Sequence, residues 1–183
     1  MNENSHPVWK RLSKKTVYKG RLHIVEHQVQ LPNGEHSKYE VDHSPTFAAT
    51  VLIKTPDNCV ILTRQFRFPL NRWIYDLPGG AQAQGETEEE AAIRECREEI
   101  GIRPKKMIKL GMFYHNPGRS DWPTYIFFCD QYEESGLKIN DPSETIERIK
   151  MPVLEFRKLV DDQKIIDPAL LISWFSARNK DYI

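Results

Sequence analysis

The sequence predicts an α/β domain (α+β mixed sheet), and three observations carry that expectation. Short runs rich in β-branched and aromatic residues recur at TFAATVLIK, CVILTRQFRF, MIKLGMFYH and TYIFFCDQYEE. Between the second and third stands a segment of clear helical periodicity, GETEEEAAIRECREEIG, and two more follow late, PVLEFRKLVDDQ and DPALLISWFSARN. Strands and helices mix without a regular strand-helix-strand repeat, which points to a mixed sheet covered by helices.

Taken in chain order, residues 1–15 are polar and read as a flexible tail. Residues 16–43 read as extended: alternation in HIVEHQVQL, the turn Pro32-Asn33-Gly34, then EHSKYEVDH. Two or three strands alone bury little, so this β arm is expected to pack on the same chain or a partner. The main domain then occupies residues 44–183. Its first two strands are joined at Thr55-Pro56-Asp57-Asn58, and RWIYDLPGG continues as a strand ending in a glycine-rich bend. Thr87 and Glu90 form a capping box at the start of the central helix, and Gly101 stands where helices stop. Trp73, Trp122 and Trp174 have apolar neighbours and read as packing residues.

The 183-residue length suits one domain with an appended arm. Lys plus Arg and Asp plus Glu both number 26, so the chain lacks the basic surface of a bulk nucleic-acid binder. It also has no apolar run fit for a signal peptide or a membrane span, and a cytoplasmic location is expected. Cys59, Cys96 and Cys129 have no metal-ligand spacing and read as three buried small hydrophobes in a reducing compartment.

The chemistry concentrates between Gly79 and Ile102. Glu95, Glu98 and Glu99 are spaced i, i+3, i+4 and share one helix face, while Ala92, Ile93, Cys96 and Ile100 fall on the adjacent arc. Carboxylates on one stripe repel unless a cation neutralises them, and hard cations such as Mg²⁺ take oxygen ligands of this kind. Arg94 precedes Glu98 by one turn and is placed to orient it, and the Gly79-Gly80 bend lets backbone carbonyls approach. A solvated acidic face is the ordinary explanation of a Glu-rich helix, and it suffices for Glu88, Glu89 and Glu90. It does not account for the full pattern of Gly80, Glu86, Arg94, Glu95, Cys96, Glu98, Glu99, Gly101 and Ile102.

That pattern resembles the Nudix box, G-x5-E-x7-R-E-U-x-E-E-x-G-U, with Cys96 in an apolar slot where Leu, Ile or Val is usual. The resemblance implies a Nudix α/β/α sandwich over residues 44–183 with an N-terminal antiparallel β arm. It implies hydrolysis of a pyrophosphate bond by water with Mg²⁺, for which Mn²⁺ can substitute. Glu95 and Glu99 are then the principal metal ligands, assisted by Glu98 and the Gly80 carbonyl, while Glu86 and Arg94 fix the loop.

Outside the box, Gln65-Phe66-Arg67, Asp76-Leu77-Pro78-Gly79 and Pro117 resemble the ADP-ribose and nucleoside diphosphate sugar pyrophosphatase branch. By that resemblance Arg67 contacts substrate phosphate, and Glu144 is the first candidate for a catalytic base outside the box. Glu147 is the second candidate, and the box carboxylates Glu98 and Glu99 also belong to the catalytic set. The same resemblance implies that the arm forms a homodimer and brings Arg21, Tyr39 and Glu40 to the nucleobase, Arg21 standing where some relatives carry an aromatic. His115, Arg119, Ser120 and Asp121 flank the Pro117-Gly118 turn and are weaker candidates for the sugar end. The expected substrate is a small nucleotide sugar such as ADP-ribose, GDP-mannose or ADP-glucose. No nucleic-acid or membrane partner is expected. Dinucleoside polyphosphates, nucleoside triphosphates and a non-catalytic regulatory module are the alternatives, the last disfavoured because every box glutamate is kept.

Overall fold

The computed structural model describes residues 8–44, 46–136 and 145–183, which form two compact units. Of the described residues, those up to 46 join 114–122 in one unit, and those in 47–113 and 123–183 form the other.

In the first unit, β1 (Lys10–Lys19), β2 (His23–Gln30) and β3 (His36–Asp42) form an antiparallel sheet in the order β1-β2-β3. The expected hairpin between β2 and β3 is present. Gly34 closes it at φ +88°, and its N–H donates to the Leu31 carbonyl at 2.9 Å. β2 buries Val25 and Val29, whereas every residue of β1 is exposed. β1 begins at Lys10, inside the stretch read as a polar tail. Its polar composition hid a strand whose ladder to β2 is reinforced by charge, with Lys15 opposite Glu26 and their side chains 3.3 Å apart.

Residues 114–122 also belong to this compact unit. Backbone and charge both hold them there. The Asp42 N–H donates to the Arg119 carbonyl at 2.7 Å, and His43 Nδ1 lies 2.8 Å from Asp121.

The second unit is the mixed sheet expected from the sequence. Its strands are β4 (Ala48–Lys54), β5 (Cys59–Arg67), β6 (Arg72–Asp76), β7 (Gly79–Ala81), β8 (Ile102–Phe113), β9 (Thr124–Glu134) and β10 (Ile146–Pro152). They lie in the order β10-β5-β4-β9-β8, with β6 paired to β5 and β7 to β4. The β4–β9 pair is parallel and the other pairs are antiparallel.

Alternation along the central strands sorts side chains to two faces. Leu52, Val60, Leu62 and Phe128 pack on one side with Phe156 and Trp174, from α2 (Val153–Asp161) and α3 (Pro168–Arg178). Val51, Ile53, Ile61 and Phe127 pack on the other with Ala91, Ala92, Cys96 and Ile100 of α1 (Glu88–Ile100). The result is the α/β/α sandwich. Helix α1 carries the expected capping box between Thr87 and Glu90, and Gly101 ends it at φ 66°. β8 starts at Ile102, earlier than MIKLGMFYH implied, because Ile102 and Pro104 already alternate inward against Arg103 and Lys105.

One expectation about a single residue is corrected. Cys59 is only partly buried, since its strand starts at a turn where the thiol faces Asp57. Trp73 is 37% exposed on the β5–β6 hairpin and packs against Phe66, with Arg64 over its ring, whereas Trp174 is 1% exposed and meets Phe156 edge-on at 4.9 Å. Among the described residues, no helix is long and apolar enough to cross a membrane.

These environments separate the two tryptophans energetically. Trp174→Ala is expected to cost about 3–5 kcal/mol in urea unfolding, whereas Trp73→Ala costs less than about 1 kcal/mol. Equal losses at the two positions would contradict this assignment of the core.

Candidate active site

Local structure at the box begins with β7. Gly79 pairs with Thr50 of β4 at φ +155°, and a Cβ there would overlap the Ala49 carbonyl and Thr50. A Cβ on Gly80 would stand 2.5 Å from a carboxylate oxygen of Glu95. Both glycines are therefore sites of close approach, the first to the neighbouring strand and the second to the helix face that carries the acids. Apolar residues on the adjacent arc of α1, Ala92, Cys96 and Ile100, fix it against the sheet and leave the acidic stripe beside the β7 turn.

One side chain organises that stripe. Arg94 Nε donates to Glu86 at 2.8 Å, and one terminal nitrogen donates to Glu95 at 2.8 Å and to Glu98 at 3.0 Å. The other terminal nitrogen reaches the Ala81 carbonyl at 2.9 Å and the second Glu86 oxygen at 3.2 Å. The fork geometry of a guanidinium suits several planar acceptors at once. Glu86 also accepts the Ala83 N–H at 2.8 Å, which folds the loop leading into the helix. Glu99 accepts the Gly79 N–H at 2.9 Å, tying the helix back to the glycine turn. Hydrogen bonding from Arg94 holds the Glu86 carboxyl below its usual range, and the same contacts push Arg94 above its own. The predicted pairing of Arg94 with Glu98 is present, and Glu86 and Glu95 join it.

Among the described residues, no group of three His, Cys, Asp or Glu side chains stands ready to enclose a cation. The donor chemistry nevertheless fits a hard divalent ion. Carboxylate oxygens of Glu95, Glu98 and Glu99 share one face, and Gly80 has no side chain between its backbone and Glu95.

Arg67, at the end of β5, is ion-paired with the buried carboxylate of Asp76, and its own side chain is 44% exposed. The Asp76 carboxyl also accepts the Leu77 N–H at 2.8 Å, and burial together with the nearby Asp76 pushes the Asp167 carboxyl up to about 7. Asp167 was not singled out by the sequence reading. Its only sequence signal is its place before Pro168, where it caps α3 by accepting the Leu170 N–H at 2.7 Å. Glu144 lies outside the described residues, and Glu147 sits exposed on β10, 3.6 Å from Arg64.

The first unit has a cavity of about 300 Å³ whose lining includes Trp9, Arg11, His27, Tyr39, Arg119 and Asp121. Trp9 meets Tyr39 edge-on at 5.7 Å, and the Tyr39 hydroxyl donates to the Gly118 carbonyl. Behind them His27 Nε2 contacts His43 Nε2 at 3.1 Å, and burial lowers the His27 pKa. An adjoining cavity of about 350 Å³ is lined by Glu26, Lys38, Tyr39, Glu40 and Arg119. The structure thus brings Tyr39 and Glu40 together, while Arg21 lies at the exposed bend between β1 and β2 and lines neither cavity. Trp9, Arg11 and His27 went unread because the first two fall in the apparent tail and the third in an ordinary alternating strand.

The NUDIX domain matches residues 44–174, which include the whole glycine turn and the acidic helix. The chain belongs to the Nudix family. As a Nudix hydrolase it is an enzyme acting on phosphoric anhydride bonds. A second match, to the nucleoside diphosphate sugar hydrolase N-terminal domain, covers residues 9–41. The Nudix chain is similar to the ADP-ribose pyrophosphatase of Bacillus subtilis, at 32% identity over 86% of each chain. It is also similar to the methanol dehydrogenase activator of Bacillus methanolicus, at 27% identity over 90% of this chain and 89% of that one. A crystal structure of an ADP compounds hydrolase shares the fold with a TM-score of 0.78 at 22% identity, covering 94% of this chain and 92% of the other.

The Arg94–Glu86 pair makes a pH prediction. The Glu86 carboxyl is depressed from 4.5 in the folded chain. Its stability contribution is therefore present above that value and is lost as pH falls through the folded pKa. Thermal unfolding of Glu86→Gln from pH 6 to pH 3 is expected to lack that loss. Curves parallel to the wild type would contradict the clamp.

Proposed function

We propose that this Nudix enzyme hydrolyses the pyrophosphate bond of nucleoside diphosphate sugars, giving a nucleoside monophosphate and a sugar phosphate. The observation that carries the reading is the joining of an intact, Arg94-clamped box to an N-terminal unit matching nucleoside diphosphate sugar hydrolases. The similarity to an ADP-ribose pyrophosphatase supports the same substrate class. ADP-ribose, ADP-glucose and GDP-mannose are the substrates to compare.

Glu95 and Glu99, with Glu98 and the Gly80 carbonyl assisting, would hold Mg²⁺, or Mn²⁺ in its place. When bound, such an ion neutralises charge on the phosphoryl oxygens. Every other part belongs to the chain. Arg94 aims Glu95 and Glu98, and the Gly79 N–H fixes Glu99. Arg67 offers its exposed guanidinium edge to a substrate phosphate, a role suited to a planar donor. Water attacks phosphorus, and Glu144 accepts its proton, with Glu98 and Glu99 completing the catalytic set. Tyr39, Glu40 and Arg21 select the base.

The chain acts as a homodimer in the cytoplasm, its three cysteines being free thiols. β1 supports the dimer, because Leu12, Val17 and Tyr18 along it are each about half exposed.

Glu99→Gln is expected to lower kcat by at least about 10²-fold with an unchanged Tm. EDTA should stop turnover and added Mg²⁺ restore it. Retained activity in the variant, or after chelation, would contradict the site assignment. Light scattering after size exclusion should give the mass of two 21.4 kDa chains. A monomer at micromolar concentration would remove the role given to β1.

A further inference from the structure

Two histidines of the first unit meet apart from the box and from the proposed base contacts. His27 lies on β2, is 5% exposed and lines the 300 Å³ cavity, and His43 follows β3. Their Nε2 atoms are 3.1 Å apart, and His43 Nδ1 lies 2.8 Å from a carboxylate oxygen of Asp121. Asp121, His43 and His27 thus form one chain of contacts from the 114–122 segment into the sheet.

Counting protons shows what this chain can do. An ionised carboxylate only accepts, so the proton on the Asp121 side belongs to His43 Nδ1. Two ring nitrogens facing at hydrogen-bond distance hold one proton between them, which either ring can supply. One further proton fits on His27 Nδ1, and the bridge survives with a single positive charge. When both rings are imidazolium, N–H faces N–H and no acceptor is left. The bridge therefore breaks only in acid.

The surroundings oppose that doubly charged state. Lys14 of β1 and Tyr39 of β3 stand opposite His27, and Arg11 and Arg119 line the same cavity. On β2 itself the His23 ring lies 6.3 Å from that of His43 and contacts Thr16. Asp121 supplies negative charge from the segment. Burial lowers the His27 pKa, and the charges of Arg11, His43 and Lys14 lower it further, against Asp121.

What the chain holds makes it consequential. Two other bonds tie the segment to the sheet, from the Asp42 N–H to the Arg119 carbonyl and from the Tyr39 hydroxyl to the Gly118 carbonyl. The His43–Asp121 pair is the ionic tie. Gly118, Arg119 and Asp121 form a wall of the cavity that Tyr39 also lines. The place of His43 therefore decides the place of Asp121 and of that wall.

We propose that His43 is a positioning residue: bridged to His27, it pins Asp121 and sets the cavity wall that faces Tyr39, and charging of both rings releases it. This rests on the proposed reading of Tyr39 as a base contact. Release loosens the wall and weakens nucleotide binding, while the box residues keep their own contacts.

The folded pKa of His27 lies below its unfolded value of 6.5. Between those values the unfolded chain binds more protons, so stability is complete above 6.5 and is lost as pH falls through the folded pKa. Gln at position 43 keeps a donor for Asp121 and an acceptor for the His27 N–H but cannot ionise. Ala keeps neither.

The experiment compares wild type, His43→Gln and His43→Ala from pH 8 to pH 5. Long-range ¹H–¹⁵N NMR follows the ring nitrogens, thermal melting gives Tm, and ADP-ribose hydrolysis with Mg²⁺ gives kcat and KM. In wild type the Ser120 and Asp121 amide signals should shift together with the His27 and His43 rings. Wild-type Tm should fall below pH 6.5, and KM should rise by up to about tenfold per pH unit with kcat less affected. His43→Gln should lack both steps, and His43→Ala should show a raised KM throughout. Independent titration of the two rings, or parallel Tm curves for wild type and His43→Gln, would eliminate the bridge. A Tm step without a KM step, or a wild-type KM in His43→Ala, would leave His43 structural and overturn its positioning role. Absence of wild-type turnover on all diphosphate sugars, with the NMR and Tm signatures present, would refute the substrate reading and the Tyr39 role together while keeping the bridge.

Discussion

The site depends on one guanidinium. Glu86, Glu95, Glu98 and Glu99 bring four negative charges to a loop and two helical turns, and without compensation they would drive each other toward solvent. Arg94 bonds the first three while its remaining donor holds the Ala81 carbonyl. Because those partners lie on both the loop and the helix, a single side chain fixes their relative placement. Charge compensation and geometry are here the same interaction, which is why lysine, a point donor, would not substitute.

The sandwich supplies what Arg94 cannot. β7 docks on β4 through Gly79 and Gly80, and α1 docks on the same sheet through Ala91, Ala92, Cys96 and Ile100. The acidic stripe and the glycine turn are thus both referenced to β4. The Gly79 N–H to Glu99 bond closes the circuit between them. The neighbouring β5–β6 ladder carries Arg67 and its buried partner Asp76. Box and arginine are held by packed strands rather than by long loops, and such support keeps catalytic groups aligned.

Much of this was legible in the sequence, and the physical reasons are specific. Helix α1 announced itself through its cap, its stop and its apolar arc, all local signals that tertiary packing did not override. The box residues were legible because their spacing follows helical geometry. The first part of strand β1, residues 10–15, was not, since exposed residues on an edge need no apolar alternation and so resemble a tail. The membership of residues 114–122 in the first unit rests on backbone bonds to Asp42 and an ion pair to His43, which leave no periodicity to read. Asp167 was hidden for a similar reason: an Asp before Pro-Ala-Leu-Leu is an ordinary helix cap, and only the fold buries enough of it to raise its carboxyl to about 7. Cys59 is less buried than its apolar neighbours imply, because such neighbours do not guarantee burial at a strand end.

The most direct test of the account is ³¹P NMR of ADP-ribose incubated with the wild-type enzyme and Mg²⁺. The account predicts that the coupled pyrophosphate signals disappear and two phosphomonoester signals grow in equal amounts, those of AMP and ribose 5-phosphate. Pyrophosphate signals that persist on ADP-ribose, and equally on ADP-glucose and GDP-mannose, would contradict it.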